Sequence, residues 1–253
     1  MERSETASPF SLAGKVILVT GASSGIGRAT CSAVAKAGGT VIATGRDQTR
    51  LDATLSILKG SGHRGMAADL TLAAGRAALV GAITSLDGVV HAAGITAQVP
   101  FRFISEKHLR DINVINYEAP VLLTQMILKS GVIANGSAIV FISSTAAALG
   151  LKALTAYSAS KAAVTAAARV LALELAPRGI RCNCIAPAMV ETPMASQTES
   201  AVSPETMNEH RKLYPLGFGQ PGDVASAAVF LLADSGRWIT GTTLVLDGGY
   251  SCQ

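Results

Sequence analysis

Apolar residues in this chain fall into short runs and longer mixed stretches that take turns along its length. Val16-Ile17-Leu18-Val19-Thr20 and Thr40-Val41-Ile42-Ala43-Thr44 have the length of a strand and are apolar at consecutive positions. A strand that lacks polar alternation is covered on both faces, as in a parallel sheet. Further strands are expected at Arg64 to Ala68, Gly88 to His91, Ala138 to Ile142, Ile180 to Ile185 and Thr242 to Leu246. Between them lie helical stretches at about Ile26 to Ala37, Asp47 to Gly60, 71–84, 105–130, 156–176 and 222–233, with Gly38-Gly39 stopping the first. This alternation predicts an α/β protein with a doubly wound parallel sheet of about seven strands and helices on both faces. No composition break marks a second domain. One domain is expected over 12–253, behind a flexible tail at 1–11, and 253 residues suffice for a sizeable core.

In such a sheet, ligands gather at the carboxyl ends of the strands. Gly21, Gly94, Ser144 and Pro187 all fall there. After the first strand the chain reads Thr20-Gly21-Ala22-Ser23-Ser24-Gly25-Ile26-Gly27-Arg28 and then turns helical. Glycines let the backbone approach a pyrophosphate, and a helix amino terminus presents unpaired N–H groups to its charge. The spacing is Gly-x-x-x-Gly-x-Gly, so the turn points to a nucleotide through its place between strand and helix.

A second feature lies far downstream. Tyr157 and Lys161 stand four residues apart in an alanine-rich helical run, which puts them on one face. A neighbouring ammonium favours a phenolate, so the pair could make an acid–base group out of a tyrosine whose ordinary pKa is about 10. By itself the pair fits equally well an amphipathic helix with two surface residues.

Taken together these motifs resemble the short-chain dehydrogenase/reductase family. Residues 20–27 match its Thr-Gly-x-x-x-Gly-x-Gly turn and residues 157–161 its Tyr-x-x-x-Lys helix; Ser144, thirteen residues before Tyr157 at the end of Ile139-Val140-Phe141-Ile142-Ser143-Ser144, matches its serine. The family's asparagine has two candidates in Asp111-Ile112-Asn113-Val114-Ile115-Asn116, and counting back from Thr124-Gln125 favours Asn116. The resemblance covers about residues 12–250. It implies a Rossmann-type fold and hydride transfer between a nicotinamide and a carbonyl or alcohol carbon. Asn116, Ser144, Tyr157 and Lys161 would be catalytic, with Tyr157 as general acid/base, Ser144 on the carbonyl oxygen, Lys161 lowering the tyrosine pKa and Asn116 supporting a water route.

The resemblance also implies cofactor contacts at Gly21, Ser23, Ser24, Gly25, Ile26 and Gly27, at Asp69 and Leu70 beside the adenine, at Ala93 and Gly94, at Tyr157 and Lys161, and at Pro187, Val190 and Thr192 beside the nicotinamide. His91-Ala92 stands where the family has two asparagines, and Ala188 replaces a glycine. His91 is read as structural. The second strand ends in Thr44-Gly45-Arg46 without the acidic residue of NAD-preferring relatives. A guanidinium suits a phosphate, so Arg46 favours NADP(H). Ser24, where many NADP-preferring relatives carry a basic residue, leaves NAD(H) possible.

Composition changes the picture little. A net charge of +4 without a lysine-arginine cluster or aromatic stripe gives no reason to expect nucleic acid. The polar Met1–Ser11 stretch and the lack of about 18 consecutive apolar residues predict neither a signal peptide nor a membrane span, and hence a cytoplasmic protein. Cys31, Cys182, Cys184 and Cys252 complete no metal set, and no metal is expected. Residues 194–219 resemble the family's substrate lid. Ala146, Ala147, Leu149, Leu151 and Leu154 suggest an apolar pocket wall, with Lys152 the charged exception. The helix faces near 118–123 and beyond Lys161 are small and apolar, which also fits ordinary core; in the family that the chain resembles these helices form one dimer interface and the carboxyl-terminal strand and tail another, so the resemblance implies a homotetramer. Two alternatives are a sugar epimerase or dehydratase, for which the chain has no added substrate domain, and a nucleotide-binding regulator without turnover, against which the intact Ser144, Tyr157 and Lys161 argue.

Overall fold

The computed structural model describes residues 8–199 and 203–252. The strands are β1 (Val16–Thr20), β2 (Thr40–Gly45), β3 (Arg64–Ala67), β4 (Leu86–His91), β5 (Ile133–Ile142), β6 (Arg181–Pro187) and β7 (Thr243–Leu246). The helices are α1 (Gly25–Lys36), α2 (Gln48–Leu55), α3 (Ala73–Gly81), α4 (Glu106–Asn113), α5 (Ala119–Ser130), α6 (Thr155–Leu175), α7 (Pro193–Glu199), α8 (Pro204–Lys212) and α9 (Pro221–Leu232). The strands form one seven-stranded sheet in the order β3-β2-β1-β4-β5-β6-β7, with every pairing parallel.

Successive strand residues point to opposite sides of the sheet, and each side has its own core. Ile17, Val19, Val41, Ala43, Val140 and Ile185 face the layer that holds Cys31 and Val34 of α1 and Ala228 of α9. Leu18, Ile42, Val89, Ile139, Phe141 and Cys184 face Leu79 of α3, Leu123 and Ile127 of α5 and Val164 of α6. Consecutive apolar residues in the sequence are thus shared between two cores. The strand order reverses between β1 and β4, where Thr20 pairs with His91, and the crevice there opens at the strands' carboxyl ends.

Three elements depart from the pattern. The stretch 105–130 is not one helix: Val114–Glu118 forms a π-helical turn between α4 and α5. Helix α2 ends at Leu55, short of Gly60, and Gly60 and Gly62 both adopt positive φ in the connection to β3. Strand β5 begins at Ile133, five residues earlier than expected, with a register shift against β4 between Leu86 and Gly88. The expected tail is also held in its described part. Pro9 accepts a 2.8 Å hydrogen bond from Ser235 N, Phe10 lies 6.4 Å from the Phe230 ring, and Leu12 is fully buried. Residues 1–7 lie outside the described residues.

Candidate active site

The glycine turn is shaped by close approaches that tolerate no side chain. Gly21 has φ +65°, and a Cβ there would stand 2.7 Å from Ala93 N; one on Gly27 would stand 2.2 Å from Gly21 O. The end of β1, the end of β4 and the first turn of α1 are therefore packed backbone against backbone. Thr20 completes the junction by accepting from Ala92 N and Ala93 N at 3.2 and 3.1 Å. Ser24 is the N-cap of α1, but its hydroxyl makes no capping bond, so the first-turn amides stay available to an anion. From behind, Arg28 donates to Ser23 O at 2.7 Å and to Thr54 Oγ1 at 3.0 Å, and Thr54 donates to Ala22 O at 2.9 Å. Helix α2 thus braces the turn.

A cleft of about 300 Å³ runs over this junction. Of the residues expected at a cofactor, Gly21, Ser23, Ser24, Gly25, Ile26, Gly27, Arg46, Asp69, Leu70, Ala93, Gly94 and Thr192 line it; Tyr157, Lys161, Pro187 and Val190 do not. Asp69 accepts from Thr71 N and Thr71 Oγ1 at 2.9 and 2.7 Å. Those bonds, and more weakly the Arg46 charge, hold its carboxyl below the usual range. Arg76, buried, fixes the same loop by donating to Leu70 O at 2.7 Å. Across the mouth, Thr192 would meet a Cβ on Gly25 at 3.3 Å. A cradle that excludes side chains, open amides at a helix start and an acid beside the third strand fit an adenine dinucleotide.

Of the four residues expected to be catalytic, Asn116 and Lys161 stand directly behind the cleft. Asn116 lies in the π-helical turn and is buried; its amide accepts from Ile95 N and donates to Ile95 O, both at 2.9 Å, and donates to Ser160 Oγ at 3.1 Å. The extra residue in that turn swings Asn116 inward, whereas Asn113, the other candidate, bonds Glu118 in an exposed position. Lys161 is buried and Nζ donates to Ile142 O at 2.8 Å, which leaves two of its three donors without a partner among the described residues. A Cβ on Gly94 would meet both Asn116 Oδ1, at 3.2 Å, and Lys161 Nζ, at 3.4 Å. The Gly94 backbone therefore separates the cleft from this polar pair by a single layer of atoms.

The adjacent serines divide their work. Ser143 donates to Lys161 O at 3.1 Å and pairs with Thr165 Oγ1 at 2.9 Å, fastening α6 to β5. Ser144 faces the other way, towards Pro187 O at 3.4 Å and the Tyr157 phenol. Tyr157 departs from the expectation of an acidified phenol. Burial raises its pKa, and the Ser144 hydrogen bond opposes that rise. Lys161 Nζ lies 5.7 Å from the ring centroid and is itself pushed down to about 8 by burial. Both groups thus favour their neutral forms more than they would in water.

Some functional neighbours carried no readable signal. Arg28, Thr54, Arg76 and Ser160 hold the turn, the Asp69 loop and Asn116 through contacts distant in sequence. His91, expected to be structural, is buried: it stacks on Phe141 with ring centroids 4.7 Å apart, bonds Thr124 Oγ1 at 2.9 Å, and is pushed down to about 3 by burial. Its Nδ1 has no hydrogen-bond partner among the described residues. Cys31, Cys182 and Cys184 are buried free thiols.

Comparison with known proteins agrees with this geometry. Residues 21–251 match the family described as enoyl-(acyl carrier protein) reductase. The chain is 36% identical over 251 residues to D-threitol dehydrogenase of Mycolicibacterium smegmatis, covering 96% of this chain and 95% of that one. A crystal structure of a putative short-chain alcohol dehydrogenase from Sinorhizobium meliloti 1021 superposes with a TM-score of 0.89 at 31% identity, covering 97% of this chain and 100% of that one. A putative NAD(P)-dependent gluconate 5-dehydrogenase from Beutenbergia cavernae, with bound NADP, gives 0.87 at 33% identity and covers 97% and 100%. With these likenesses spanning the whole sheet and cleft, the chain belongs to the short-chain dehydrogenase/reductase family and is an oxidoreductase acting on alcohol or carbonyl groups.

Proposed function

We propose that this protein reversibly transfers hydride between NADP(H) and a small carbonyl or alcohol substrate, with Tyr157 as general acid/base. The observation that carries the reading is that Asn116 and Lys161 stand directly behind the Gly94 backbone of the cleft, while Lys161 lies 5.7 Å from the Tyr157 ring and Tyr157 hydrogen-bonds Ser144. The nicotinamide, when bound, supplies or takes up the hydride. In reduction Ser144 hydrogen-bonds the substrate oxygen and Tyr157 delivers its proton there. A phenol raised by burial stays loaded with its proton until that moment. The negative charge then left on it is met by the Ser144 hydroxyl and the Lys161 ammonium. Lys161 has donors to spare for the nicotinamide ribose, and Asn116 fixes the loop at Ile95 that borders the site.

Arg46, which has no carboxylate bonded to it among the described residues, favours the 2′-phosphate of NADP(H). We assign the wall of the substrate side to Ala146, Ala147, Leu149, Leu151 and Leu154. A 2.8 Å bond from Val99 N to Ala153 O ties the loop after β4 to this wall. Ala153 adopts φ +64°, a strained setting for alanine that this bond helps hold. Helices α7 and α8 form the lid over residues 194–219; 200–202 lie outside the described residues. Arg211 on α8 bonds Glu191 at 3.2 Å, which links the lid to the segment carrying Val190 and Thr192. That a similar enzyme is named for threitol supports a small hydroxylated substrate.

The test is to incubate the protein with NADPH or NADH and a panel of small ketones, sugars and polyols while following absorbance at 340 nm. Turnover faster with NADPH is the expected result, and cofactor binding without turnover on any compound would favour a regulator. No described helix is long and apolar enough to cross a membrane. Val170 and Leu173 expose 55% and 79% of their surface on α6, and Leu122 is exposed on α5. We assign these faces to contacts within a homotetramer. Light scattering at micromolar concentration should give four times the chain mass, and a monomer would remove the assignment.

A further inference from the structure

Helix α8 leads back to the sheet through Tyr214, Pro215 and Phe218, and this return is held from two sides. On one side Tyr214 and Phe218 are buried edge to face, with ring centroids 4.8 Å apart. The Tyr214 phenol is hydrogen-bonded to the Met189 backbone, and Gly219 N donates to Met189 O at 3.0 Å. Met189 directly precedes Val190, which with Thr192 is expected beside the nicotinamide. On the other side lies the last turn of the chain, Tyr250–Cys252. Tyr250 stacks on Tyr214 with centroids 4.6 Å apart and planes at 12°, and the His210 ring of α8 stands edge-on to Tyr250 and Tyr214 at 5.9 and 5.3 Å.

The last turn is firmly seated. Asp247 accepts from Gly249 N at 3.0 Å and from Ser251 N at 2.9 Å, which closes the chain around Tyr250. Gly248 has φ +59°, and a Cβ there would stand 2.9 Å from Gly217 O; one on Gly249 would stand 3.1 Å from Pro215 Cγ. Leu216 N donates to Gly248 O at 3.1 Å. The glycines thus let the turn lie directly on residues 215–217, and the Tyr250 ring carries the contact on to α8. Arg211, next to His210, lies 4.1 Å over the Phe218 ring and bonds Glu191 at 3.2 Å. Two successive residues of α8 are therefore tied to the carboxyl-terminal turn and to the segment of Val190 and Thr192. Tyr214 and Tyr250 do not line the cleft.

We propose that Tyr250 is a positioning residue for the substrate: by stacking on Tyr214 it sets where α8 stands over the site, without touching the reacting atoms. The inference rests on the hydride-transfer reading and goes beyond it by giving the carboxyl-terminal turn a part in substrate affinity. A lid that occupies its binding position only part of the time weakens apparent affinity by that fraction, while the step after binding keeps its rate. Removing the stacked ring lowers the fraction.

Two measurements on the full chain test this, with Tyr250→Ala and Tyr250→Phe beside the parent. Hydrogen exchange of the α8 amides, read without cofactor or substrate, should quicken about 3- to 10-fold in Tyr250→Ala, the factor contributed by an aromatic pair. For the best compound of the panel of ketones, sugars and polyols, KM should rise by the same factor, with kcat and calorimetric cofactor affinity within about twofold of the parent. Tyr250→Phe keeps the ring and should restore both readouts. Should Tyr250→Ala not fold, Tyr250→Leu, which fills the space without a ring to stack, is judged by the same two readouts. Unchanged exchange and KM would overturn the role of Tyr250, and so would an equal loss in kcat and cofactor affinity, which marks general loosening. A parent that turns over no compound would overturn the hydride-transfer reading, and the exchange rates alone would then decide whether Tyr250 holds α8.

Discussion

Tyr157→Phe is expected to lower turnover by about 100- to 10,000-fold, the range spanned by a positioned general acid or base. Cofactor affinity measured by calorimetry should stay within about twofold, since the ring remains and only one hydroxyl is lost. The ring is half-buried on α6, so phenylalanine fills the same space and the fold is not at risk. What disappears is the proton that reduction needs, and with it the hydroxyl that Ser144 orients. A variant retaining full activity would assign the proton to another group. In the parent enzyme the pH dependence has a definite sign. Lys161 is cationic below a pKa of about 8 and neutral above it, and the charge left on the phenol as its proton departs is stabilised only by the cationic form. Carbonyl reduction at saturating substrate should therefore be flat below about pH 8 and fall above it. A reduction rate that rises through this window would contradict the assignment.

Gly27→Ala is expected to weaken dinucleotide binding more than tenfold, a loss above about 1.4 kcal/mol, and to destabilise the protein by about 1–3 kcal/mol, as overpacking does. The added methyl would lie 2.2 Å from Gly21 O and 2.6 Å from Gly21 C, and no rotamer relieves a clash between backbone and Cβ. Either α1 or the glycine turn must move, and the braces from Arg28 and Thr54 resist movement of the turn. At this chain length each kcal/mol lowers the melting temperature by about 2–4 °C. Gly81→Ala is the matching control. It is the last residue of α3, nothing lies within 4 Å of its would-be Cβ, and its substitution should leave cofactor binding and melting nearly unchanged. If Gly27→Ala behaved like Gly81→Ala, the close packing of the turn would not be what shapes the cleft.

The two-faced sheet was legible because it is encoded locally. Val16–Val19 and Val41–Ala43 have no polar position to give to solvent, and a strand with that composition has to be buried on both sides. The glycine turn and the Tyr157–Lys161 spacing were legible for a similar reason: backbone approach and helical periodicity are properties of a few neighbouring residues. The π-helical turn at Val114–Glu118 was not. Nothing within Val114-Ile115-Asn116-Tyr117-Glu118 excludes an ordinary helix. The turn persists because Asn116, once swung inward, satisfies both backbone groups of Ile95 and reaches Ser160.

The sequence by itself determined the alternation of strands and helices, the single α/β domain, and the residue types from which a hydride-transfer site can be built. Only the tertiary structure decided their electrostatic state. Desolvation by the packing around them raises the pKa of Tyr157 and lowers that of Lys161, opposite to the simple expectation that a lysine four residues away acidifies a phenol. It likewise decided that Arg46 lines one cleft with Asp69, whose carboxyl the Thr71 hydrogen bonds and, more weakly, the Arg46 charge hold below the usual range. The physical reason is common to both cases. Desolvation and the competition for partners depend on every element packed around a group, and most of those elements are distant along the chain.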